Sequence, residues 1–400
     1  MPVNRKIISG GGTKISTQLK NIIPINIPIP THIKLTYLLF GVILVILFSL
    51  TIYYWDNVKT FSIRTGNMLT YRINPKWMSM YKMDRPFLNI YDQNDRMLNI
   101  VFITHHFTRD DCIQNYNKAS SVGIKFIGMS SYCEFPGHIS NPHDILHDLN
   151  NSAYKYNYYE LTKGWCHCFR DPYKYITDRN IPIELISESD FANLEKHKPV
   201  ENDKPKEYDF IYVCLKDNDK CEDGWQAYNR NWAKAKEWLD IMCKEYKLKG
   251  LLVGRINCEI PASCHTITEL TDFMEYDKFI ENYKKVRFVF VPNISDASPR
   301  VMTEGICYNL PVLCNEDILG GWKYVTEQVG EQFNDGNFKE KLAKFIGRLD
   351  KNEYSPRAYY EANYGVKNAG PKLLEFVKKC VPVNEWNLDM NSITYLKPGV

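Results

Sequence analysis

One stretch, Phe288 to Asn315, constrains this chain more than any other; it reads FVFVPNISDASPRVMTEGICYNLPVLCN. Phe288 to Val291 is apolar and β-prone and Pro292 ends it, while Pro311-Val-Leu-Cys314 is a second such run. The helical piece between them therefore belongs to an α/β layer. Ser298 followed by Pro299 predicts an N-cap and a first helical residue, where a missing N–H costs nothing. The apolar stripe of that helix falls on Val301, Met302, Gly305 and Ile306, and Glu304 sits close to it rather than opposite. Burying an unpaired charge is expensive, so the Glu304 carboxylate calls for a basic residue or a hydroxyl-rich ligand. Asp296 lies in the loop just before the helix. The free N–H groups of the first turn, around Ser298 and Arg300, suit a phosphate or diphosphate.

These residues resemble a known family. Asp296 and Glu304 have the spacing of the E-x7-E motif of retaining GT-B glycosyltransferases, and Glu304-Gly-Ile-Cys-Tyr-Asn-Leu-Pro311-Val resembles that family's E-A-x-A-x-G-x-P-V. Two positions depart from the pattern. The first acid is aspartate, and Asn309, which tolerates the left-handed conformation of a helix C-terminus, replaces the glycine. The resemblance implies an α/β, GT-B-like pair of Rossmann-like domains and a nucleotide-sugar donor, with Glu304 on its ribose and Asp296 at its sugar. It also implies retention of configuration and transfer to a glycan, lipid or protein hydroxyl. No cofactor is expected, because helix amides and basic side chains can neutralise a diphosphate without a divalent metal ion.

Length and charge agree with this frame. Four hundred residues with 44% hydrophobic content suffice for two domains with their own cores. Lys plus Arg 50 against Asp plus Glu 47 leaves a net charge of +3, so no overall field argues for nucleic acid as a partner. Twelve cysteines in so long a chain are not a small disulfide scaffold, and no paired C-x2-C arrangement makes a zinc site. Most read as free thiols, with Cys214, Cys307 and Cys314 as small buried side chains.

Along the chain, residues 1–34 carry basic residues without an acid and predict a disordered tail. Residues 35–55 are uncharged, long enough to span a bilayer, and end in Tyr53-Tyr-Trp55. They predict one N-terminal transmembrane helix and a single-pass protein, type II being favoured. Residues 56–94 read as a stem, 95–196 as the N-terminal, acceptor-side domain, and 197–207, charged and proline-broken, as a linker. In the first domain the strands are expected at Leu98–Ile103, Ile124–Met129, Trp165–Phe169 and Ile181–Ile186, with a helix at Asp110–Ala119. His105 and His106 follow the first of these strands, where open sheets place ligands, although adjacent loop histidines are more often solvated. His167 is expected on one strand face with Cys166 and Cys168 on the other. It is the catalytic candidate beside Asp296, because some related transferases have a histidine near the transferred sugar.

Residues 208–350 read as the donor-binding domain, with strands at Phe210–Leu215 and Leu248–Val253 and a helix over Gln226–Tyr246. By position, the resemblance makes Lys216, Arg230 and Arg255 the candidates for the donor diphosphate. The Gly320-Gly321 pair permits close backbone approach to a sugar or phosphate. Residues 351–400 hold a last helix, Tyr359–Cys380, expected to pack back across the domains, and a tail. Asn150 and Asn293 head glycosylation sequons. Two rivals remain. Asp217-Asn-Asp219 is a D-x-D after an apolar strand, able to bind a divalent ion in a GT-A-type transferase. The other is a membrane-anchored glycan- or nucleotide-sugar-binding protein that kept the fold and lost turnover.

Overall fold

The computed structural model describes residues 85–139, 143, 156–199 and 205–397. The expected tail, membrane span, most of the stem and the sequon at Asn150 lie outside the described residues. Among the described residues no helix is long and apolar enough to cross a membrane.

In chain order the strands are β1 (Phe87–Tyr91), β2 (Met97–Ile103), β3 (Lys125–Met129), β4 (Trp165–His167), β5 (Ile183–Leu185), β6 (Tyr208–Val213), β7 (Gly250–Val253), β8 (Thr268–Thr271), β9 (Val286–Val291), β10 (Val312–Asn315), β11 (Gly330–Phe333) and β12 (Tyr395–Lys397). The helices are α1 (Asp110–Ser121), α2 (Tyr158–Leu161), α3 (Trp225–Asn229), α4 (Trp232–Glu245), α5 (Tyr276–Phe279), α6 (Arg300–Cys307), α7 (Phe338–Asp350), α8 (Pro356–Asn363) and α9 (Val366–Cys380).

They form two six-stranded sheets, the α/β two-domain architecture expected above. The first has the order β12-β1-β2-β3-β4-β5, with β2 to β5 parallel and β1 antiparallel to both β2 and β12. Two boundaries differ from expectation. The end of the expected stem carries β1, and the tail supplies β12, which pairs Asn89 with Lys397 and Tyr91 with Tyr395. Both segments are short and interrupted by polar residues, so their periodicity is too weak to mark them as strands. Leu373, Leu374, Phe376 and Val377 of α9 pack on Leu88, Ile100, Met129 and Cys166, so the chain returns from the second sheet to the first.

The second sheet is wholly parallel, in the order β11-β10-β9-β6-β7-β8. Both faces are covered, which explains why its strands read as continuous apolar runs. Phe210, Tyr212, Phe290 and Leu313 pack on one side against Trp238 and Phe345. Ile211, Val289 and Val312 pack on the other against Met302 and Ile306. The chain builds outward from β6 through β7 to β8, then returns to lay β9 on the other side of β6. The loops after β6 and β9 therefore leave the sheet in opposite senses and open a crevice at its carboxyl end.

The helix expected over Gln226–Tyr246 is divided. Asn231 adopts φ 56°, a left-handed conformation that asparagine tolerates, and separates α3 from α4. Two disulfides, Cys221–Cys258 and Cys243–Cys264, lie in the second domain, and the other eight cysteines are free thiols. Cys221–Cys258 joins the loops that follow β6 and β7 at the crevice edge.

Candidate functional site

At the crevice lies a cavity of about 240 Å³. Val213, Leu215 and Val253, at the ends of β6 and β7, make one apolar wall, and Val301 and Phe279 another. Phe273 stands at the rim with 64% of its surface exposed, an aromatic ring that the core does not use. The polar groups are Gln226, Arg230, Tyr276, Arg300 and Glu304. A second cavity of about 270 Å³ shares Tyr276, Arg300 and Glu304 with the first and lies against Glu188 to Lys196 of the first domain and His197 just after it. Helical spacing produces this division: Arg300 and Glu304 stand one turn apart on α6, with Val301 facing the first cavity and Thr303 the second.

Glu304 is buried, and no cation pairs with it among the described residues. Its partners are hydroxyls: Tyr276 donates to Oε1 at 3.0 Å and Tyr283 to Oε2 at 3.1 Å. Burial raises its carboxyl above the ordinary carboxylate value, and the two tyrosines pull it partway back. The Tyr276 hydroxyl also lies 3.3 Å from Nε2 of the buried His197, whose ring burial holds below the usual imidazole value. Within the chain, Glu304 is thus met not by a base but by two of the protein's own hydroxyls. An ionised carboxylate has about four lone-pair sites, so Glu304 keeps room to accept from further hydroxyl groups.

Asp296 is engaged differently. Arg230 Nη1 pairs with its Oδ2, Asn293 Nδ2 donates to the same oxygen at 3.0 Å, and the Ser298 amide approaches Oδ1 at 3.3 Å. The buried Asn293 amide is therefore occupied, and its sequon is closed to a glycan in this fold. Ser298 does not cap α6, which starts at Arg300; its hydroxyl instead meets the Ser189 hydroxyl at 2.7 Å and the Ser189 amide at 3.1 Å. Gly320 and Gly321 serve the same loop. A Cβ on Gly320 would lie 2.0 Å from the Ala297 carbonyl oxygen, and Gly321 has φ 84° with Pro299 Cγ 2.3 Å from its virtual Cβ. The glycines let one loop lie on another; neither lines the two cavities.

The remaining sequence candidates stand elsewhere. Lys216 pairs with Asp219 at 3.2 Å and lines neither cavity. Arg255 is wholly buried over the Trp232 ring at 4.8 Å, with Nε and Nη2 3.3 and 3.1 Å from Cys214 Sγ and Nη2 3.8 Å from Asp217. It holds the two loops together from inside and lines neither cavity. Asp217 caps α3, accepting from the amides of Gln226 at 2.6 Å and Ala227 at 2.9 Å, while the Asp219 side chain is 98% exposed. The D-x-D carboxylates thus do not converge. Among the described residues no group of three or more His, Cys, Asp or Glu is placed to hold a metal ion.

His167 is buried at the end of β4, stacked 6.2 Å from Phe169, with Nδ1 unpartnered. Burial, then the charge of Lys323, lowers it to about 4. It lines neither cavity. Cys166 and Cys168 do not share a face: because β4 stops at His167, they enter different core clusters. His106 is likewise no solvated loop residue. It lies inside an aromatic cluster, 4.8 Å from Phe135 and 5.6 Å from Tyr158, and burial lowers it to about 3. Sequence reading missed Tyr276, Tyr283, Lys196 and His197. The tyrosines sit in a helical stretch without a motif, and Lys196 and His197 lie at the start of the linker in a charged run.

No family model and no curated protein matches the chain. Among solved structures it is similar to TarM of S. aureus at 11% identity and TM-score 0.46, over 66% of this chain and 53% of that one. It is similar to the lipopolysaccharide outer core galactosyltransferase WaaB at 11% identity and TM-score 0.44, over 70% and 74%. A glycosyltransferase from Rickettsia africae is similar at 15% identity and TM-score 0.46, over 71% and 77%. The chain spans about half the length of TarM. At such identities and scores, the two-domain α/β architecture stands on its own strand order and register.

Proposed function

We propose that this chain is a glycosyltransferase that takes a nucleotide-sugar donor at the crevice of the second sheet and passes its sugar to a glycan, lipid or protein hydroxyl. One observation carries the reading. Glu304 is a buried carboxylate without a cation, held by Tyr276 and Tyr283 in the wall of a half-apolar cavity that also presents Arg300. In this reading the base fills the apolar part, ribose hydroxyls donate to Glu304, and Arg300 faces the diphosphate. Retention of configuration belongs to the same proposal and rests on the spacing of Asp296 and Glu304. Metal-independent transfer is supported by the cationic side chains at the cavity. Anchoring through residues 35–55 is supported by their hydropathy, and a type II orientation by the two disulfides, which suit an oxidising compartment.

Calorimetry with a panel of nucleotide sugars, followed by assays of hydrolysis and transfer, tests this. Binding of one donor class and turnover that survives chelation are expected. Failure to bind any of the panel would overturn the reading, and activity abolished by chelator and restored by manganese would remove its metal-independent part. A second reading has its own support. Asp296 is tied to Arg230 and Asn293, and His167 stands away from both cavities, which suits a donor-binding protein without turnover. Tight donor binding with neither hydrolysis nor transfer would decide for it.

A further inference from the structure

We infer that Lys196, carried on the segment that leaves the first domain, is a second cation of the donor site and binds a nucleoside diphosphate together with Arg300. This rests on the donor reading above and assigns the second charge beside Arg300, the one expected of Lys216, Arg230 or Arg255. Of those, Lys216 is paired with Asp219, Arg230 with Asp296, and Arg255 is buried. Among the described residues, neither Arg300 nor Lys196 forms an ion pair, and both line the second cavity. The carboxylates of that cavity are already engaged: Glu188 accepts both arms of Arg85, at 2.8 and 2.9 Å, and Glu304 accepts its two tyrosines. Arg85 neutralises Glu188, and the single charge of Glu304, which both cations feel, offsets only one of Arg300 and Lys196, so the wall keeps an excess of positive charge, the chemistry of an anion site.

Lys196 is also held in place. Its amide donates to the Asn193 side chain at 2.9 Å, and its ammonium lies 4.4 Å from the centre of the Tyr276 ring. Arg357 binds the carbonyls of Leu194 at 2.9 Å and His197 at 2.6 Å, and with the same guanidinium that of Cys307, the last residue of α6, at 2.5 Å. The segment bearing Lys196 is thereby fixed to the helix bearing Arg300 and Glu304. Such preorganisation lets a lysine act as a point charge without first losing much backbone freedom. A ligand with its ribose on Glu304 brings its phosphates to the side of that carboxylate where Arg300 and Lys196 stand.

The test is calorimetry on the full chain with UDP, GDP and ADP, each beside its parent nucleoside. Lys196→Gln is expected to weaken the preferred diphosphate roughly tenfold while leaving the nucleoside unchanged, and Lys196→Arg to retain most of the affinity. Arg300→Gln is expected to act in the same sense, whereas Glu304→Gln weakens nucleoside and diphosphate alike. If Lys196→Gln binds the diphosphate as tightly as the wild type, or loses nucleoside and diphosphate equally through altered packing on Tyr276, the assignment is wrong. Should the wild type bind none of the three diphosphates, the donor reading itself falls, and the assignment with it.

Discussion

Two buried carboxylates stand where the domains meet, and they are satisfied in opposite ways. Asp190, in the first domain, accepts from the Lys323 ammonium at 2.7 Å, the Tyr324 hydroxyl at 2.6 Å and the Ser187 amide at 3.1 Å. Tyr324 in turn meets the Ser187 hydroxyl at 3.0 Å, so charge and lone pairs are matched inside the protein and neither cavity borders the knot. Glu304 has hydroxyl partners only, no cation among the described residues, and a cavity on each side. A buried charge neutralised by its neighbours fastens one domain to the other. A buried charge met only by hydroxyls, with space beside it, retains capacity for a ligand.

The largest effect is expected at the knot. Asp190→Ala leaves Lys323, whose side chain is 7% exposed, buried without its counter-charge, and should cost about 3–5 kcal/mol in urea denaturation. An unchanged midpoint would erase the distinction between the two carboxylates. Next comes Glu304→Gln, which keeps the shape and removes the charge. Hydrogen bonds to charged groups contribute on the order of 1.5–3 kcal/mol, so the nucleotide dissociation constant should rise roughly tenfold or more. Stability should not fall with it, because no buried cation loses a partner. A Gln variant that melts like Asp190→Ala and binds nucleotide normally would make Glu304 a structural residue.

The same contrast explains what was legible in the sequence. The strand–helix–strand unit around α6 was readable because its strands are buried on both faces, which leaves unbroken apolar runs such as Phe288 to Val291. The need of Glu304 for a partner was readable from its place beside the apolar stripe, but the partner's identity was not. Tyr276 and Tyr283 reach it through a fold that no local pattern encodes. Position alone named Lys216 and Arg255, and both follow strands as expected, but it could not show that their side chains turn to Asp219 and to Trp232 with Cys214. β1 and the edge strand β12 escaped because both are short, and β12 takes its definition from a partner some 300 residues earlier in the chain.

A smaller effect is expected at Asp296. Asparagine keeps one acceptor for Arg230 but removes the charge, so nucleotide affinity should fall by about threefold or less, while turnover with the full donor falls further. Equal losses in both would place Asp296 on the nucleotide rather than at the sugar. Calorimetry with free nucleotide beside a transfer assay reads both quantities from one preparation.

The smallest effect is a displacement of a pH profile, and its sign follows from burial. Because the folded carboxyl of Glu304 titrates above its ordinary value, acidification protonates it before exposed carboxylates, and the neutral form accepts ribose hydroxyls poorly. Nucleotide affinity should therefore fall as pH drops, starting above the ordinary carboxylate range of about 4. Stability should run the other way: the folded state binds this proton more readily than the unfolded one, so stability declines as pH rises from the ordinary value through the raised one. Tyr283→Phe removes a hydroxyl that favours the ionised form, which should move the acid limb of binding to higher pH and cost only a few-fold in affinity at neutral pH. His197, 3.3 Å from the Tyr276 hydroxyl, also titrates near this site. The Glu304→Gln variant retains His197, so a profile that flattens in that variant belongs to the carboxylate, and one that persists unchanged belongs to the imidazole and removes Glu304 from nucleotide binding.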